Sequence, residues 1–318
     1  MDTTVSPRAR PGVETSGVKI PIERLEPEAV FEVGGHPDWL APVETDASVW
    51  VSNHPLDNVS RFDATTNVVA ATLHLGLSTE PCSGLAAGFG SLWVPCCGWK
   101  SLFRVDLKTN EVTAVIPTSI GFREGSIATG AGGVWLMTSS RGTLTRFDPD
   151  TNKVAAKISV ATGSYGLAFG EGAVWVTSTK HGTVARVDPS KHLLAATIPV
   201  GPSPRFIAAG EGAIWALNQG DGTVSRIDPN SNRVVATIDV GVPGGGGDIA
   251  TGEGSVWVSA WDYPLSRIDP STNRVVQQFY GAGGDAIKVG LGSVWLSNLK
   301  EGNVWRLDPG RVEAIAPG

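Results

Sequence analysis

"GEGAVWVTSTKHGTVARVDP" (residues 170–189) and "GEGAIWALNQGDGTVSRIDP" (residues 210–229) are one phrase written twice, 40 residues apart, with a different middle. The constant part reports a scaffold and the changing part a surface free to differ. The phrase recurs along the chain. A Val-, Leu- or Ile-Trp pair puts tryptophan at 50, 93, 135, 175, 215, 257 and 295, giving spacings of 43, 42, 40, 40, 42 and 38 residues. Seven units of about 40 residues are the period of propeller blades. Within a unit the period is two. In the fifth unit "RFIAAG" (205–210), "AIWALN" (213–218), "TVSRID" (223–228) and "RVVATIDVG" (233–241) are short segments rich in Val, Ile and Thr, bounded by Gly, Pro, Asp and Asn. No stretch shows sustained helical spacing with caps.

Four-stranded antiparallel sheets must bury both faces, and radial stacking does so while leaving only short edges. The sequence therefore predicts an all-β, seven-bladed β-propeller. The repeated tryptophan on the second strand packs between blades; burying about 200 Å² of indole contributes up to about 5 kcal/mol. Arg-x-Asp recurs on the third strand of every unit, from Arg61/Asp63 to Arg306/Asp308, with the Asp opening the turn to strand four. Seven identical copies mark a structural pair, excluded from any site. "AVFEVGG" (29–35) and "RVEAIAPG" (311–318) both match a fourth strand. The N-terminal one is expected to complete blade seven, because joining the two ends in one sheet closes the ring. Residues 1–28, polar and with prolines at 7, 11, 21 and 27, read as a flexible arm before a single domain at 29–318.

The bulk composition narrows the partners. Of 318 residues, 41% are hydrophobic and 18% charged, and the net charge is −6 with no basic run, which argues against nucleic acid. No apolar run approaches the ~20 residues of a membrane span. No apolar leader core precedes the propeller, so the address is either cytoplasmic or, with a signal removed, exported. The chain reads as a monomer acting on a small polar molecule.

Chemistry concentrates where each unit enters its first strand: "GHPDWLA" (35–41), "TEPCSGLA" (79–86), "FREGSIA" (122–128), "TGSYGLA" (162–168), "PSPRFIA" (202–208), "GGGDIA" (245–250) and "GGDAIK" (283–288). These entries ring the channel mouth. They gather His36, Asp38, Glu80, Arg123, Glu124, Tyr165, Arg205, Asp248 and Asp285, a polar mouth on an apolar body and the composition of a small-molecule site. His36, nearest the axis, is the candidate acid/base, with Tyr165 and Glu124 as further catalytic candidates. Arg123 and Arg205 could clamp an anionic group. Trp39, Phe206, Trp261 and His181, from the same loops, could line a binding pocket. Glu80, Asp248 and Asp285 are hard oxygen ligands that could hold Mg²⁺ or Ca²⁺. The competing reading is that these charges pair with one another around water.

Of three cysteines, Cys82 begins strand one of the second unit and Cys96 and Cys97 end its strand two. Folding that hairpin sets Cys82 opposite Cys96 or Cys97, and a cross-strand disulfide there, taken as Cys82–Cys96, would close about 15 residues, contribute about 3 kcal/mol and imply an oxidising compartment. A vicinal Cys96–Cys97 bridge, and free thiols open to a soft metal, remain alternatives.

"GEGSVWVSAWDYPLSRIDPSTNRVVQQF" (252–279) and "GTVSRIDPNSNRVVATIDVG" (222–241) resemble the YVTN-type seven-bladed repeats of bacteria and, more distantly, the streptogramin lyase family. The likeness spans roughly 30–316 and lies in scaffold residues. It implies the propeller. From the lyases it suggests Mg²⁺-assisted elimination opening a cyclic depsipeptide ester, through His and Glu on the central face. Those enzymes typically end strand two in Trp-Phe-Thr-Glu. Here the ends read Trp50-Val-Ser-Asn53, Trp93-Val-Pro-Cys96, Trp215-Ala-Leu-Asn218 and Trp295-Leu-Ser-Asn298, so none of the lyase's catalytic residues carries over. Many YVTN-type proteins are exported, which tilts the address to periplasmic or secreted. Two functions are expected: a lyase or hydrolase at the channel mouth, or a non-catalytic ligand- or protein-binding propeller.

Overall fold

The computed structural model describes residues 12–316 except 57, 76–83, 123, 125 and 245. Seven four-stranded antiparallel sheets follow one another around a central channel, each with the strand that precedes the Trp strand innermost. Blade one is built from His36–Val43, Ser48–His54, Asn58–Asp63 and Val68–His74, and blade five from Pro204–Gly210, Ala213–Asn218, Thr223–Asp228 and Arg233–Asp239. Blade seven takes its outer strand from the other end of the chain. Ala29–Glu32 pairs antiparallel with Asn303–Leu307, in register Phe31 with Val304, and closes the ring as expected. The competing C-terminal stretch is instead a short helix, Pro309–Ala314, whose N-cap Asp308 accepts hydrogen bonds from the Gly310 and Arg311 amides.

All seven repeat tryptophans are at most 1% exposed. Six donate their indole N–H to the carbonyl of a glycine five residues earlier, as Trp215 does to Gly210 at 3.0 Å. Trp50 is the exception, and its N–H has no partner among the described residues. The blade-one hairpin from Val43 to Ser48 is longer and does not bring a glycine carbonyl to that place. The Arg-x-Asp pairs do two structural jobs. Each Asp accepts the turn amides that follow it, as Asp106 does from Lys108 and Thr109, and those amide bonds hold the carboxyls of Asp63, Asp106 and Asp148 below their ordinary range. On four blades the Arg stacks on its own blade's Trp and reaches the next blade's outer turn. Arg226 lies 5.0 Å over Trp215 and donates to the Pro270 carbonyl at 2.6 Å and Asn273 at 2.7 Å. Arg104, Arg186 and Arg306 repeat this latch on blades three, five and one.

Two sequence expectations change. Residues 12–25, part of the stretch read as a flexible arm, are packed. β1 (Lys19–Pro21) adds to blade six as a fifth strand, parallel to Arg274–Tyr280, and Val13, Ile20, Ile22 and Leu25 are buried. Pro21 ends that strand and leads into the single 3-10 turn Ile22–Arg24, so this segment is docked rather than free. Cys96 is a buried free thiol, so it is not the partner of Cys82; burial raises its pKa. Its neighbour Cys97 is the disulfide-bonded residue, and Cys82 lies outside the described residues.

Candidate functional site

The first strand of each blade enters the channel at a fixed height, so equivalent positions converge. Counting two residues back from the buried Leu40, Leu167, Ile207 and Ile287 gives Asp38, Tyr165, Arg205 and Asp285. Asp248 sits one residue before Ile249. Glu124 precedes the first strand of blade three, Ile127–Gly130, and Trp261 lies in the loop between strands two and three of blade six. Together Asp38, Trp39, Glu124, Arg205, Asp248, Trp261 and Asp285 line a cavity of about 250 Å³ with Phe206, Gly246, Gly247, Ala286 and Leu299. A second cavity of about 270 Å³ lies in the channel on the other side of Trp39, Phe206 and Asp248, side chains that the two share.

Two charge groups face this mouth. In one, Arg205 is paired with Glu124 and donates to the Tyr165 hydroxyl at 2.8 Å. Its guanidinium lies 4.7 Å from the Tyr165 ring centroid and 5.0 Å from that of Phe206, an aromatic bracket that favours a cation. Burial, then the Glu124 charge, pushes the Tyr165 phenol well above its usual range. It stays protonated and serves Arg205 as a hydrogen-bond acceptor. In the other group, Asp285 is only 8% exposed. Burial first, then the charge of Asp38, its hydrogen bond with Asp38 and the charge of Asp248, raises it to about 8, against one opposing bond from the Gly247 amide at 3.2 Å. Asp285 is therefore a neutral acid at pH 7, hydrogen-bonded to a second carboxyl from the adjacent blade.

Asp248, 5% exposed, is ion-paired with Lys288, whose ammonium also lies 5.6 Å over the Trp39 ring. Lys288 escaped the sequence reading although it closes the last quoted entry. Its column holds the signal. The residue opposite each blade tryptophan on strand one is Ala41, Ala86, Ala128, Ala168, Ala208 and Ala250, and then Lys288. Six alanines leave room in the channel, and one lysine fills it with charge.

The remaining candidates fall elsewhere or outside view. His36 is exposed at the rim, its Nδ1 2.8 Å from the Leu299 carbonyl oxygen, and does not line the cavity. His181 is exposed and bonded to Thr162 at 2.9 Å, also away from it. Glu80 and Arg123 lie outside the described residues. Among the described residues no three His, Cys, Asp or Glu side chains converge on a metal position. Asp248 is engaged by the Lys288 ammonium, and Glu80, the third member of the expected oxygen-ligand set, lies outside the described residues.

No protein-family model and no curated protein sequence matches the chain. Solved structures do. A streptogramin B lyase superposes with a TM-score of 0.72 at 17% identity, covering 87% of this chain and 96% of that one. A selenomethionine-substituted virginiamycin B lyase from Staphylococcus aureus gives 0.71 at 15% identity, covering 88% and 98%. At this identity the likeness establishes the seven-bladed fold.

Proposed function

We propose that this propeller is a small-molecule lyase or hydrolase whose chemistry occurs in the mouth cavity. The observation that carries the reading is the Asp38–Asp285 pair: one carboxyl buried and protonated at neutral pH, the other pressed against it from the next blade. Two carboxyls whose environments differ divide into acid and base. Asp285 would protonate a leaving oxygen while Asp38 accepts a proton from substrate carbon or from water. Arg205, held by Glu124 and Tyr165, supplies a fixed positive charge for a substrate oxygen. Trp39, Phe206 and Trp261 supply apolar walls for a ring-bearing molecule. The likeness to the two lyases supports an eliminating reaction on the same scaffold, with this chain's own residues. The divalent ion expected from sequence has no part in this scheme. The Cys97 disulfide supports an exported protein.

The test is turnover of a panel of cyclic esters followed by mass spectrometry. Elimination opens the ring with no change of mass, and hydrolysis adds one water. Asp285→Asn and Asp38→Asn are each expected to lower kcat at least about 100-fold, the usual worth of a general acid or base. Binding of a panel member without turnover by the wild type would instead favour the ligand-binding propeller.

A further inference from the structure

Closure of the ring needs only the strand at Ala29–Glu32, yet the chain before it is docked with specific bonds. Gln278, in the outer strand of blade six, is fully buried. Its amide N–H donates to Val18 O at 2.8 Å and its Oε1 accepts from the Val13 amide at 2.7 Å. Its Nε2 donates to Val240 O at 2.9 Å and to Ser266 at 3.0 Å. One side chain thus ties the N-terminal segment to the start of the stretch 240–247. The backbones also touch: a Cβ on Gly241 would lie 2.2 Å from Gly12 C and O. Val13 packs in the same cluster as Val240 and Val242.

The far end of 240–247 is a wall of the mouth cavity. Gly246 lies against the Trp261 indole, where a Cβ would come within 2.5 Å, and its carbonyl accepts from Gln219 Nε2 at 2.9 Å. Gly247 donates to Asp285. A stretch this rich in glycine has little conformational preference of its own, so its shape comes from its contacts. The N-terminal segment supplies those at one end.

We propose that residues Gly12–Leu25 form an intramolecular ligand of blade six, added by strand augmentation, whose docking fixes the 240–247 loop through Gln278 as the positioning residue. The consequence for catalysis rests on the mouth being the site; the test does not. With the segment displaced, Gln278 Oε1 is left buried without its donor, a loss that reorients the amide and releases Val240.

Gly12→Val displaces the segment without altering any blade. Gly12 has φ +80°, and a Cβ there would lie 2.4 Å from Gln278 Oε1 and 2.5 Å from the Tyr263 ring. The measurement is amide hydrogen exchange by NMR at Gly241, Gly244 and Gly247, with amides of Thr223–Asp228 in blade five as an internal reference. Exchange at the three loop amides is expected to rise at least about tenfold while the reference stays fixed. A chain lacking residues 1–25, which keeps the closing strand, is expected to behave likewise and to regain protection when a synthetic 1–25 peptide is added. Unchanged loop exchange in Gly12→Val overturns the proposal. So does a rise spread equally over blade five, which would make the segment a general stabiliser. If the shortened chain does not fold, the point variant decides. Absence of catalytic turnover leaves this outcome unaffected.

Discussion

Asp285 has the largest consequence for pH. Its carboxyl titrates near 8 in the folded protein, above the ordinary carboxyl value that it regains on unfolding. Between those two values the folded state holds the proton and the unfolded state has released it, so stability falls as pH rises through that window. Asp285→Asn keeps the shape and removes the proton. The wild type is expected to lose melting temperature between pH 5 and 8.5, and the variant to lose clearly less and to be the more stable protein at pH 8.5. Parallel melting curves for the two chains would contradict this. Much of the site could be read beforehand. Trp39, Glu124, Arg205, Phe206, Asp248 and Asp285 all come from the strand-one entries, because departures from a Gly/Ser/Pro background stand out against a repeat. What escaped was pairing. Type and position say that acids and bases converge, but only backbone height decides that Lys288 meets Asp248 and that Asp38 meets Asp285. His36 was preferred because its residue type suggests proton transfer, yet it stands two places before Asp38 in a strand and so ends on the rim.

The blades are fastened unequally, and the reason lies in single turn residues. Where the outer turn offers Asn in a left-handed conformation, as Asn152, Asn232 and Asn273 do, the arginine of the preceding blade takes its side chain. Blade four has His192 at that place, and Arg146 donates to the Gly132 carbonyl in its own blade instead. Between blades one and two an Asn is present, but Arg61 pairs with Asp46 and the buried Asn110 Oδ1 has no partner among the described residues. Arg226→Ala, which removes two bonds to the next blade and a stacked cation, is expected to cost roughly 2–3 kcal/mol in urea denaturation. Arg61→Ala, losing a partly exposed ion pair, is expected to cost less than about 1 kcal/mol. Equal losses would show that the latch is not what distinguishes these seams. The sequence shows seven identical Arg-x-Asp pairs; their inequality arises from partners some 45 residues away, which a repeat conceals.

Two parts of the chain that look unattached in sequence join the ring as a whole. Cys97 is disulfide-bonded and Cys96 is a buried thiol, whereas Cys82 lies outside the described residues. Peptide mapping without reductant should show Cys97 in a disulfide and Cys96 alkylated only after unfolding; alkylation of Cys97 in the native, unreduced protein would refute it. Spacing alone could not choose between adjacent cysteines, since neighbouring residues on a strand point to opposite faces. The fold class followed from the tryptophan period, and closure from a matching fourth strand. The docked segment at 12–25 was missed because it belongs to no repeat and its prolines resemble a linker. The closing strand has a consequence for synthesis. Ala29–Glu32 leaves the ribosome before the strands of blades one to six, and its partner Asn303–Leu307 only after them. The other six blades are synthesised before that pair can form, so the nascent chain must carry an apolar, β-prone stretch unmatched until then, and a premature stop in the seventh unit would release six blades with an open edge at either end.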